Sequence, residues 1–471
     1  MSDFQLEIGD SISGLLADGV EGTPWVGATI KMDRHRGLLV EVPYLQGADD
    51  GQFDHVRHWF ESRKAPTNME LLTPEGAVGL FGIVWLGHRA PFGAWKASVG
   101  KLQPSVAVLK SRQGRFEDPL VIDEVYSWID GLNAWSGLSA VSIEPLVDEK
   151  NIATELTLKV KSELVFEWAQ GDANMRIQSI WSEVSESDGY QRKVLIADDV
   201  SLVSSFRSGP RSFDDHYREQ QKVRHLMTFM FGWQLFIRRH ALRDERFSFM
   251  IPGREDPIKP RIQLISSRTF ADSVRDVPSR DKLNDPLASF QVVGIEGMEV
   301  WSAEYEKWER FILPSVNVLG REGVFAEDVI LSTSMSMEAA GELIGECIGE
   351  ECLKGRGRNL PVSLCIYRCL RVLELELSSE FGGMVALSRA IANTYNAIKH
   401  SSRGSFPDGR EVSVVCDLSK LIVRLLALHV AKVNLNSCIR SYVSTALDKI
   451  IAKMAYWSMS IDENGKWCYE L

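Results

Sequence analysis

Asn393-Thr394-Tyr395-Asn396-Ala397-Ile398-Lys399-His400 closes an apolar helical segment in the last third of this 471-residue chain. The segment follows Gly382-Gly383, and its spacing predicts one helix over residues 384–400. Asn396 and His400 are four apart, which on a continuous helix sets both on one face, within reach of one ligand. Tyr395, five before His400, is rotated round the helix but stays near that side, while Lys399 points about 100° aside. A histidine titrates near neutrality and can act as a general base or acid. The same residues, before Ser401-Ser402-Arg403-Gly404, also suit a plain helix C-terminus, so a structural reading stands beside the chemical one.

Outward from this stretch the periodicity remains helical. Helices are predicted over residues 326–351, from Pro361 to about Leu377, from near Val412 and over 437–456, joined by short connections. Val415, Leu418, Ile422, Leu425, Leu426, His429 and Val433 form one stripe, on which His429 reads as a core histidine. Five such helices make a bundle.

Ahead of them the texture changes. Residues 25–30, 37–42, 77–86, 105–109 and 153–160 are short β-branched or aromatic runs punctuated by Gly and Asp, as in a sandwich or open barrel. Residues 153–160 alternate strictly and predict a strand with one face buried. Helices are predicted over 124–135 and 213–242, the second ending in Arg238, Arg239, His240 and Arg243, where cations complement a helix dipole. Residues 261–265 and 290–293 read as strands, with a long loop over 272–286. The expected fold class is α+β and multidomain. A β-rich sandwich or barrel-like part with inserted helices fills 1–320, and an all-α bundle fills 321–471.

Composition narrows the classes. Apolar residues at 45% and charged residues at 25% describe an ordinary globular chain. The sequence contains no transmembrane run and no secretory signal, and its seven cysteines have no framework spacing, so a cytoplasmic protein with reduced thiols and no membrane partner is expected. The net charge of −11 is uneven: residues before Arg321 carry 36 basic and 46 acidic side chains, and those from Arg321 onward carry 17 and 18. An acidic front part repels phosphates, so any nucleic acid is expected at the C-terminal part.

The stretch quoted first resembles the signature helix of the HEPN superfamily, whose usual form is Arg, four to six residues, then His, commonly with Asn after the Arg. Asn396 and His400 match the tail of that pattern, and Tyr395 stands where the Arg is expected. The order of parts resembles ApeA-type proteins, which join a large β-rich N-terminal domain to a C-terminal HEPN bundle. Residues 124–135, ending Leu132-Asn133-Ala134-Trp135, and the helix after the β region carry that likeness in the front half. The resemblance implies an abortive anti-phage defence protein whose N-terminal part responds to a phage-derived trigger. It implies a homodimer through the bundle and a metal-independent endoribonuclease acting on RNA, with tRNA among the candidates, and needing no cofactor. His400, Asn396 and Tyr395 would be the catalytic set, and Lys399, Arg403 and Arg389 the cations available to RNA. The alternative is a catalytically degenerate scaffold that dimerises or binds RNA or a protein without cleavage.

Other candidates read more simply. Lys354-Gly355-Arg356-Gly357-Arg358 lacks the preceding strand of a phosphate loop and reads as an interhelical turn. His55 and His58 stand without a third ligand nearby, and Cys347, Cys352, Cys365 and Cys369 read as thiols rather than a zinc site. Trp85, Trp95, Trp128 and Trp135 read as core.

Overall fold

A computed structural model describes residues 5–45, 51–89, 97–111, 118–161, 164–187, 189–253, 256–321, 323–355, 360–375, 377, 379–400, 405–435 and 437–469. The fold is α+β, with a large antiparallel sheet in the N-terminal part and helices concentrated towards the C-terminus. Among the described residues the sheet has fourteen strands, with Val165–Gln170 at one end and Val84–Arg89 at the other. Its hydrogen-bonded strand order runs linearly between those two ends among the described residues. The half built from the strands before Leu109 buries Ile30, Val40, Leu71, Leu80 and Leu102 with Val56 and Phe60 of helix α1 (Asp54–Glu61).

The other half runs in the order Val165–Gln170, Ala173–Ser187, Arg192–Phe206, Glu124–Ile129, Ile237–Arg243, Ile262–Ser266. Helix α2 (Phe213–Phe231) crosses one face of it and buries Val223, Leu226, Met227 and Met230. The single helix expected over 213–242 stops at Phe231, because Gly232 adopts φ 69°, a left-handed conformation open to glycine at no steric cost. Residues 237–243 then pair between two strands, so their arginines lie on a sheet and not at a helix terminus.

Three other expectations yield to tertiary pairing. Residues 124–135 divide into the strand Glu124–Ile129, bonded on both sides, and the short helix Leu132–Ser136. Residues 290–293 form a helical turn that a kink at Gly294 (φ 69°, ψ 171°) separates from the rest of helix α3 (Phe290–Glu304), since a short apolar run fits helix or strand equally. The expected loop over 272–286 holds the end of one short helix and a further turn, Arg280–Leu283.

Strand Ala153–Val160 forms as expected and pairs with Val141–Val147. One face of this hairpin carries Val141, Ile143, Pro145, Val147, Ala153, Leu156, Leu158 and Val160, and it is exposed rather than half-buried.

Helix α4 (Glu309–Val318) leads into the bundle: α5 (Ala326–Ile344), α6 (Val362–Val372), α7 (Gly383–Lys399), α8 (Gly409–Val430) and α9 (Ser437–Tyr456). The expected helices are present with trimmed ends, and Pro361 is the N-cap of α6 rather than its first turn. Helix α5 ends at Ile344, short of the expected Glu351. The bundle does not stand apart from the sheet. One apolar core joins Trp168 and Leu202 of the sheet, Met230 of α2, Trp301 of α3, Phe311 of α4, Met337 of α5, Tyr395 of α7 and Leu425 of α8. Arg424 on α8 fastens the junction by donating to the carbonyls of Phe229 at 2.7 Å and Met230 at 2.6 Å.

Candidate functional site

Helix α7 buries Ala386, Leu387, Ala390, Ile391, Thr394 and Tyr395, the i, i+3 and i+4 pattern of a helix with one face in the core. Tyr395 is therefore a core side chain, only 1% exposed. Its hydroxyl faces Lys399 one turn on, whose ammonium donates to it at 2.7 Å and lies 5.0 Å from the ring centroid. A cation thus stands one turn beyond the position where the signature pattern has its arginine.

Asn396 is half-buried, and its backbone carbonyl accepts the His400 N–H at 2.9 Å. His400 is the C-cap, with φ −126° and ψ 101°. Its backbone is extended and its side chain half-buried, so the residue stands at the helix terminus, four after Asn396. Arg403 lies outside the described residues, as do Trp95 and residues 356–359 of the basic loop.

Arg389 is engaged elsewhere. It donates to the carbonyls of Cys352 at 3.2 Å and Glu463 at 3.5 Å, tying α7 to a C-terminal hairpin (Met459–Ile461 with Trp467–Tyr469). Asn393 donates to the carbonyl of Gly465 at 3.3 Å, and Trp467 Nε1 donates to Thr394 Oγ1 at 3.2 Å. A Cβ on Gly465 would fall 2.3 Å from Arg389 Cβ, so only glycine lets the turn sit this close to the helix. Tyr469 also donates to Glu411 near the start of α8, at 2.6 Å. The hairpin therefore braces the helix that carries the site. Asn464-Gly465 between short apolar runs is a hairpin signal that the sequence offered.

A second feature escaped the sequence reading. Glu350 and Arg368, both buried, form a two-point ion pair at 2.8 and 3.0 Å between the connection after α5 and the middle of α6. The Arg368 guanidinium holds the Glu350 carboxyl down to about 2.

The remaining candidates fall into structural roles. Val56, Trp59 and Phe60 bury one face of α1, which carries His55 and His58. Cys365 and Cys369 are buried thiols, and burial pushes Cys365 up to about 12. His429 packs against Trp308 with centroids 6.4 Å apart. Trp135 is fully buried, whereas Trp85 and Trp128 are half-buried under Arg63 and Arg239. No group of three or more His, Cys, Asp or Glu among the described residues is arranged to hold a metal ion. No helix among them is long and apolar enough to cross a membrane.

The fold and this site define an α+β protein in which a broad antiparallel sheet is fused through one core to a helical bundle with a Tyr-Asn-x3-His terminus on its third helix. Residues 33–303 match the family described as ApeA N-terminal domain 1, more than half of the chain, and the protein belongs to that family. Membership gives it an anti-phage defence context. No curated protein and no solved structure matches the chain.

Proposed function

We propose that the chain is an anti-phage defence protein whose bundle is a HEPN-type, metal-independent endoribonuclease regulated by its sheet domain. The carrying observation is the Lys399 ammonium 2.7 Å from the Tyr395 hydroxyl, one residue from His400. In this reading His400 removes the proton of an RNA 2′-hydroxyl, and that oxygen attacks the adjacent phosphorus. The bond to the 5′-oxygen breaks, and an acid returns a proton to the leaving oxygen. His400 of a second subunit supplies that acid in a symmetric dimer. Lys399 takes over the vacant arginine's charge and offsets the negative charge growing on the phosphorane. Asn396 orients the phosphate.

A scaffold that binds without cleaving is favoured by one observation: Tyr395 is 1% exposed, so the signature arginine's position is closed to a ligand. The test is cleavage of labelled tRNA and single-stranded RNA by the full chain in EDTA, beside His400→Ala and Lys399→Gln. Cutting that survives chelation and disappears in both variants supports the nuclease. Intact RNA in every lane, including with extracts of phage-infected cells added, supports the scaffold.

A further inference from the structure

The strand Ile237–Arg243 ends in Arg243, which lines a cleft of about 700 Å³. Four cations, Arg176, Arg243, Lys259 and Arg261, line it against two carboxylates, Glu124 and Glu167, together with Tyr126 and Gln178. Strand register explains the convergence. Tyr126 is opposite Val203, which is opposite Arg176, while Glu124 is opposite Arg243. The guanidiniums of Arg176 and Arg261 lie 5.9 and 5.4 Å from the Tyr126 ring centroid, and the Tyr126 hydroxyl donates to Glu124 at 2.8 Å.

The charges in this cleft do not cancel. Glu124 is taken by Arg176 at 2.9 Å, and Lys259 is held by Glu245. Arg243 donates Nε to the Lys259 carbonyl at 3.2 Å, and neither it nor Arg261 pairs with a carboxylate among the described residues. Polar atoms are left over as well. Arg176 Nε and Gln178 Oε1 line the cleft, are buried, and bond no protein group among the described residues. Ser201 Oγ, beside Gln178 in register, and Trp128 Nε1 on the neighbouring strand are in the same condition. Unsatisfied buried polar atoms are uncommon, and here two belong to residues lining one cationic cleft.

The geometry points to this cleft as a binding site for a phosphate-bearing small molecule of nucleotide size. Planar guanidinium forks match pairs of phosphate oxygens, and those of Arg243 and Arg261 have no carboxylate partner among the described residues. A volume of about 700 Å³ exceeds a lone phosphate and falls in the range of small-ligand pockets. Gln178 can turn its amide to accept from, or donate to, such a ligand. The site lies in the sheet domain and does not depend on whether the bundle cuts RNA.

The experiment is calorimetric titration of the full chain with ATP, pyrophosphate, citrate and a single-stranded RNA decamer, repeated on Arg243→Gln/Arg261→Gln. Both arginines are exposed, so the double variant should melt with the wild type; Arg243→Lys/Arg261→Lys serves if it does not. The expected result is saturable binding of ATP or pyrophosphate, weakened about tenfold or more in either variant. Binding no tighter than about 1 mM for both phosphate probes overturns the site. So does equal affinity in the variants, citrate that binds as well as pyrophosphate, or RNA that binds tighter than ATP through the same arginines.

Discussion

Lys399 Nζ stands 2.7 Å from Tyr395 Oη, so a buried tyrosine and a surface lysine one turn apart act as a unit at the end of helix α7. The pair makes the consequences of substitution asymmetric. Tyr395→Phe keeps the packing and loses one charge-assisted hydrogen bond, at a cost of about 1–3 kcal/mol. Tyr395→Arg, which would restore the signature pattern, puts a cation into a core site and should cost about 3–5 kcal/mol. Denaturant titration of the two variants separates them; an arginine variant as stable as wild type would show that α7 can rotate this position to the surface.

His400 has an extended backbone and a half-buried side chain, so His400→Ala should leave stability within about 0.5 kcal/mol of wild type. Any RNA cleavage should fall by about a hundredfold or more. A large drop in melting temperature would mean that the histidine is a structural cap, and activity loss would then carry no catalytic meaning.

Removing the C-terminal hairpin should uncover α7. Trp467 is 7% exposed and bonded to Thr394, so Trp467→Ala is expected to cost about 3–5 kcal/mol. Hydrogen exchange should quicken first over residues 386–399, and uniform loss of protection across the chain would count against a local brace.

Breaking the ion pair that holds the α5–α6 connection to α6 by Glu350→Gln leaves Arg368 buried without its charge partner. A loss of about 3–5 kcal/mol is expected by chemical denaturation, and Glu350→Gln with Arg368→Met should recover part of it. No recovery would assign the cost to packing in the α5–α6 connection.

Acid should weaken the fold through its buried histidines. Burial pushes His216 down to about 4, and His225 and His240 to about 3. The unfolded chain takes up protons near pH 6.5 that the folded chain refuses. Stability is therefore full above about pH 6.5, falls as pH drops towards 3–4, and levels off below. Near pH 5 each histidine contributes up to about 2 kcal/mol of loss. Melting temperature measured from about pH 7.5 to 5 checks this, and a flat profile would rule it out.

Local signals in the sequence determined much of this molecule. The bundle helices follow from apolar residues at helical spacing, as in the α7 run from Ala386 to Tyr395, because a helix face is set by intervals of three and four. The glycine-punctuated strands were equally legible, since their alternation is intrinsic to the chain. Tertiary structure decided what no interval encodes. Residues 237–243 became a strand because two partners flank them, and that choice set Arg243, expected at a helix end, in the wall of a cationic cleft. Tyr395 and His400 were visible as a motif, but only the tertiary structure shows one closed in the core beneath Lys399 and the other capping the helix end. Burial, and the pairing of residues far apart in the chain, are properties of the whole fold and leave no local trace.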